Sequence, residues 1–220
     1  MQNFIITIAR GFGSGGKEIA SKLAKELGIH CYENRILTLA SELSGIDKQE
    51  FEEVNEKLRE EKHSFIERLS LLQHRIKPHA ENENFISNDE LYEYQKKIIL
   101  ELAKTESCVI VGKCADWVLK DNPRTFSIYI EAPREFCRPR IMKKMNVNKE
   151  TADASISTTD EYRASYYKYY TGGNYWTNPV NYDLTINSAR WGIDTSIKLL
   201  KQSLFLKFPD LNTSSKEKNS

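Results

Sequence analysis

The stretch from Phe4 to Gly28, FIITIARGFGSGGKEIASKLAKELG, constrains the fold more than any other part of the chain. Phe4 to Ala9 is a continuous apolar run rich in β-branched residues, the pattern of a strand buried on both faces of a parallel sheet. After the glycines, Ile19, Leu23 and Leu27 recur at i, i+4 and i+8, with Ala20 and Ala24 beside them. That spacing is one apolar helix face, and Gly28 is its stop signal. Between strand and helix, four of the six residues from Gly11 to Gly16 are glycine. A strand, a tight glycine turn and a helix in immediate succession begin a βαβ unit, in which ligands bind beyond the C-terminal ends of the strands.

Two phosphate-binding motifs overlap in the turn. Gly11-x-Gly13-x-x-Gly16 is a dinucleotide fingerprint, and Gly11-x-x-x-x-Gly16-Lys17 is a P-loop. A bare turn is the plain alternative. The free N–H groups and partial positive charge of a helix start favour phosphate over a bare turn. A dinucleotide site needs an acid about 20 residues on, and Glu33 lies near that place. Lys17 argues for the P-loop, where a lysine reaches the outer phosphates as a point charge. Gly13, Ser14, Gly15, Gly16 and Lys17 are therefore the candidate ATP cradle. Glu18, the last of the candidate cofactor-binding residues, stands where Ser or Thr usually helps to hold magnesium; it either touches the metal through water or, the reading we favour, points to solvent at the helix start.

The rest of the chain continues the α/β alternation. Ile29 to Tyr32, Cys108 to Val111, Phe126 to Ile130 and Tyr182 to Ile186 read as four more strands. Helices are expected from Ile36 to about Leu72, with Asp47-x-x-Glu50 as a capping box, from Ser87-x-x-Glu90 to about Lys104, and from Ile193 to Leu206. His74 to Asn88, with Pro78, reads as a loop, and 209–220 as a disordered tail. Lysine and arginine total 32 against 31 acidic residues, so the chain lacks the basic excess of a general nucleic-acid binder. Four cysteines without metal-type spacing fit reduced thiols, and the short N-terminal apolar run fits neither a signal peptide nor a membrane span. A cytoplasmic protein is expected.

These blocks, in order, resemble the cytidylate kinase-like family, a branch of the P-loop nucleoside monophosphate kinases. "ARGFGSGGKEIASKLAKELG" resembles its opening, "CYENRILTLASELSGI" its second strand and following helix, and "VIVGKCADWVLKD" a strand and loop that ordinarily read Gly-Arg. "IYIEAPREFCRPRI" is similar to its fourth strand and basic helix, and "TTDEYRASYYKYYTGGNYWTNPVNYDLTIN" to its lid and fifth strand. The resemblance implies a five-stranded parallel P-loop NTPase-type α/β sheet with helices on both faces. Within one domain over 1–208 it implies an acceptor-binding helical segment at about 33–88 and a lid at about 134–178. The activity it implies is transfer of the ATP γ-phosphoryl group, with Mg2+, to CMP or dCMP.

By the same resemblance, Arg140 and the lid arginine Arg163 join Lys17 as catalytic candidates. Glu33, Arg35, Lys113, Asp116 and Asp160 are the acceptor-side candidates. Asp160 precedes Arg163 by three residues, so a helical turn lets the acid orient the guanidinium, or leaves an ordinary surface pair. Pro139 is read as interrupting or starting the basic helix rather than lying within it. The chain departs from the family pattern at Lys113 (commonly arginine), Cys137 (often arginine) and Glu161 (commonly lysine). The alternatives are a non-catalytic nucleotide sensor on a kinase scaffold, a P-loop kinase of another small metabolite, and an NAD-dependent oxidoreductase.

Overall fold

The computed structural model describes residues 2–33, 36, 39 and 88–211. The chain divides into two compact units, Met1–Glu33 with Ile99–Ser220, and Asn34–Ile98. In the second unit Ile36 and Leu39 are helical, and both are among the few described residues there. The Asp47 capping box, Arg35, most of the Ile36–Leu72 helix, the Pro78 loop and the Ser87 cap lie outside the described residues.

Five parallel strands carry the first unit: β1 (Ile5–Arg10), β2 (His30–Tyr32), β3 (Cys108–Val111), β4 (Thr125–Glu131) and β5 (Leu184–Asn187). Their order is β2-β3-β1-β4-β5. β1 is central, pairing Ile5 with Cys108 on one side and with Thr125 on the other. The chain leaves β1 toward β2 and β3, then crosses to β4 and β5 on the opposite side. The strand order therefore reverses beside β1, and the crevice at its C-terminal end is the expected ligand position.

The helices among the described residues are α1 (Gly16–Leu27), α2 (Asn88–Thr105), α3 (Ala115–Val118), α4 (Arg134–Met145), α5 (Lys149–Tyr170), α6 (Ser188–Trp191) and α7 (Ile193–Lys207). One sheet face packs on α1 and α7 through Ile6, Ile8, Ile128, Ile19, Leu23 and Leu200, each at most 0% exposed. That apolar face, read from the i, i+4 spacing, fixes the direction of α1 and so aims its N-terminus at the crevice. α1 stops where Ile29 donates back to the Ala24 carbonyl at 3.0 Å, a Schellman-type closure around Gly28.

Two expectations are corrected. Pro139 lies inside α4, which starts after Pro133. The ring denies the Glu135 carbonyl its usual helical donor, yet the helix continues because Cys137 and Ile141 on its inner face are buried. The ordered chain also runs past residue 208. Leu211 is 9% exposed and packs in the core, and Arg124 pairs with Asp210 at 2.9 Å. Among the described residues, no helix is long and apolar enough to cross a membrane.

Candidate active site

The loop after β1 is tied down from three elements. Gly11 N–H donates to the Ile130 carbonyl of β4 at 3.0 Å. Phe12 N–H donates to Asp160 Oδ1 of α5 at 2.8 Å. Ser188 Oγ, fully buried, donates to the Ser14 carbonyl at 2.5 Å. Within the loop, Ser14 Oγ donates to the Gly11 carbonyl at 2.8 Å. Gly13 and Gly15 are left-handed, φ 91° and 84°, and both are pressed by neighbours. A Cβ at Gly13 would lie 2.8 Å from Cys137 Cβ, and one at Gly15 would lie 2.5 Å from Ile193 Cδ1. Glycine is required there for backbone conformation and for close approach. The result is a fixed cradle opening on the N-terminus of the 12-residue α1, whose N-cap Gly15 supplies no side-chain cap.

Cations gather at this cradle. Lys17 Nζ pairs with Glu33, and Arg10 Nη2 lies 3.4 Å from the other Glu33 oxygen. Burial, reinforced by Arg163, pulls the Arg10 guanidinium down to about 10. Lys113 is pulled down to about 8, mainly by burial and next by Arg10. Lys113 and Cys114 are non-glycine residues in left-handed backbone, φ 62° and 52°. Strain of this kind persists only where the surroundings over-determine it, and it clusters at functional sites. Arg163 Nη1 donates to the Arg10 carbonyl at 3.0 Å and to Asp160 Oδ1 at 3.2 Å. Burial pushes the Asp160 carboxyl up, against the opposing pull of Arg163. Lys17, Glu33, Lys113, Asp160 and Arg163 are thus brought together around one loop.

Arg140 approaches the loop from α4. Its Nη2 lies 3.4 Å from the place a Gly15 Cβ would take and donates to Glu18 Oε2 at 2.9 Å. Glu18 also pairs with Lys22 at 3.1 Å, and Arg140 foremost holds its carboxyl below the usual range. The expectation that Glu18 merely faces solvent is corrected: it bridges two cations across the first turn of α1. Of the other basic residues in α4, Arg134 and Arg138 tie that helix to Asp153 of α5, Arg138 Nε at 2.8 Å. Cys137 is 2% exposed against the loop, a position that would bury an arginine's charge in a small apolar cluster.

Asp116 is not drawn into this group. Its Oδ2 accepts from Tyr167 at 2.7 Å, and it lines a cleft of about 370 Å³ with Thr125 and Ser127, on the N-terminal half of β4 away from the loop. Burial pushes its carboxyl up to about 6. A raised carboxyl means that the folded chain holds the extra proton between its ordinary value and about 6, so stability falls as pH rises through that window. The displacement from 3.8 to about 6 corresponds to about 3 kcal/mol at neutral pH. Asp116→Asn is therefore expected to be more stable than wild type by up to about that much at pH 8, with the gain vanishing near pH 4. Urea midpoints across pH measure it, and an equal or lower midpoint for the variant at pH 8 would refute the buried-charge account.

The tyrosines of α5 divide as helical geometry demands. Tyr167 is 3% exposed and Tyr169 is 68% exposed. Beyond α5, Trp176 and Tyr182 pack on Tyr129 of β4, with ring centroids 5.5 and 5.4 Å away. Three residues missed in the sequence, Arg10, Glu131 and Ser188, complete the loop's surroundings. Glu131 accepts from Tyr129 Oη and from Ala132 N–H. Arg10 and Glu131 end parallel strands and Ser188 directly follows one, the only signal that could have found them.

The chain is similar to several known proteins. A cytidylate kinase of Methanopyrus kandleri is 26% identical over 204 residues, spanning 91% of this chain and 92% of its own. One of Thermococcus kodakarensis is 23% identical over 201 residues, spanning 91% and 87%. In fold, the chain is similar to an uncharacterized protein from Eubacterium ventriosum, at TM-score 0.67 and 24% identity over 92% of this chain and 98% of that one. A shikimate kinase from Bacteroides thetaiotaomicron shares the fold at TM-score 0.50 and 15% identity, over 91% and 98%. The model of the cytidylate kinase-like family matches residues 5–190, most of the sequence, and the chain belongs to that family.

Proposed function

We propose that the protein transfers the γ-phosphoryl group of ATP to a nucleoside monophosphate, CMP or dCMP. The observation that carries this reading is the clamped glycine loop between β1 and α1 with Lys17, Arg10, Lys113 and Arg163 around it. Phosphoryl transfer needs little covalent help from protein; it needs positioning and charge neutralisation. An acceptor phosphate oxygen attacks the γ-phosphorus as the bond to the ADP oxygen breaks. That oxygen is largely ionised at neutral pH, since the second phosphate ionisation lies near 6, so no general base is required.

Lys17 and the α1 N-terminus hold the ATP phosphates, and Arg140 flanks them at Gly15. Arg163 neutralises the transferring group from the lid at about 134–178. Lys113 and Arg35 serve the acceptor, whose recognition we assign to residues 33–88. The donor set also suits magnesium. Among the described residues no group of three His, Cys, Asp or Glu could hold a metal alone, but Glu131 and Asp160 lie close enough to act on each other at the loop. Magnesium typically takes one or two carboxylates and the substrate's phosphates, and when bound it neutralises charge on the transferring group.

ADP release with ATP and magnesium, measured against CMP, dCMP, UMP, AMP, GMP and small hydroxy acids, tests the proposal. CMP or dCMP is expected to be fastest. A faster hydroxy acid or purine nucleotide would replace the acceptor assignment. ATP binding with no ADP release for any acceptor would favour the non-catalytic sensor, which the cationic side chain absent at Cys137 supports.

A further inference from the structure

Glu33 follows β2 directly, and its side chain is 20% exposed. One carboxylate oxygen pairs with Lys17 Nζ, and the other lies 3.4 Å from Arg10 Nη2. It also favours the charged form of Lys113, while Arg10 opposes it. Arg10 is in turn opposed by Arg163. One carboxylate thus serves Lys17, Arg10 and Lys113 beside the glycine loop, and of these Arg10 opposes the charge on Lys113. Asp160 also favours the charged form of Arg10, but its Oδ1 is held by Phe12 N–H and Arg163. Glu131 accepts from Tyr129 Oη and Ala132 N–H.

We propose that Glu33 is an internal counter-ion that stands in for phosphate: it positions Lys17 and Arg10 at the loop and yields them when a polyanion enters. This rests on the phosphate-loop reading and adds the event that precedes transfer. Four cations (Arg10, Lys17, Lys113, Arg163) face three carboxylates (Glu33, Asp160, Glu131), a net charge of +1. Incoming phosphate oxygens compete with Glu33 for the same N–H donors, because both are acceptor-only anions. Binding is therefore an exchange of anions on preplaced cations, and the partly buried Arg10 avoids standing unpaired in the meantime.

This role differs from that of an acceptor ligand, in which Glu33 would take a hydrogen bond from a base or sugar. Inorganic pyrophosphate, which has neither, separates the two. Its dissociation constant is measured by calorimetry for the full chain, for Glu33→Gln and Glu33→Asp, and for both Lys17→Ala and the double variant Lys17→Ala with Glu33→Gln. Glu33→Gln is expected to bind pyrophosphate about tenfold more tightly, the scale on which one neighbouring charge shifts an ionisation. Glu33→Asp is expected to remain near wild type, and the gain should shrink sharply in the Lys17→Ala background. Unchanged pyrophosphate binding in Glu33→Gln with weakened CMP binding would overturn the proposal in favour of an acceptor ligand. Weaker pyrophosphate binding would overturn it in favour of a support for the loop. No pyrophosphate binding by any of the proteins would remove the phosphate site itself, a failure distinct from that of the counter-ion.

Discussion

Lys17→Ala is expected to lower kcat for ADP release by about 10²–10³-fold, the usual consequence of deleting one preorganised donor from a transition-state site. The fold should survive. The Lys17 side chain is 61% exposed and pairs with Glu33. An exposed pair of this kind contributes about 0–1 kcal/mol. For a chain of this size that is a change in Tm of no more than about 4 °C. Glu33 retains Arg10 in the variant, so its carboxylate is not stranded. Steady-state kinetics and calorimetry on the same preparation decide the matter. Turnover equal to wild type would end the assignment of the loop as an ATP cradle. A loss of both turnover and stability would instead make Lys17 a structural residue.

What could be read from sequence follows from how local the cause is. The three inner strands are runs such as CVIV and FSIYI, buried by their own composition, and all five appear within about two residues of their expected places. The glycine turn and α1 are equally local, since backbone conformation and one apolar stripe determine them. The site is only partly local. Lys17 lies within the motif, but Asp160 reaches Phe12 across 148 residues, and Ser188 reaches Ser14 across 174. Nothing in the spacing of those residues announces their contact. Glu18 shows the same limit: a helix-start carboxylate reads as solvated until α4 delivers Arg140 beside it. Pro139 shows the reverse error, a strong local rule overridden by the burial of Cys137 and Ile141 around it.

Arg163→Ala is expected to reduce kcat by about 10³–10⁵-fold, the range over which a single arginine at a transferring phosphoryl group acts. Its position makes the prediction specific. Arg163 is held on the Arg10 carbonyl and Asp160, with its guanidinium 5.5 Å over the Phe12 ring, so it waits at the loop rather than in solvent. A small movement of α5 would transfer those N–H groups from the carbonyl and carboxylate to phosphate oxygens. Such contacts form mainly in the closed, reacting complex, and interactions made only there lower kcat rather than ground-state affinity. The ATP dissociation constant should therefore change by only a few-fold. Arg163→Lys should restore little, because an ammonium lacks the planar fork that spans two oxygens. Binding by calorimetry and turnover by ADP release separate these effects. If kcat in Arg163→Ala stays within a few-fold of wild type, Arg163 is an ion-pair partner of Asp160 that anchors the loop, and catalysis must draw its neutralising charge from Arg140 and Lys113.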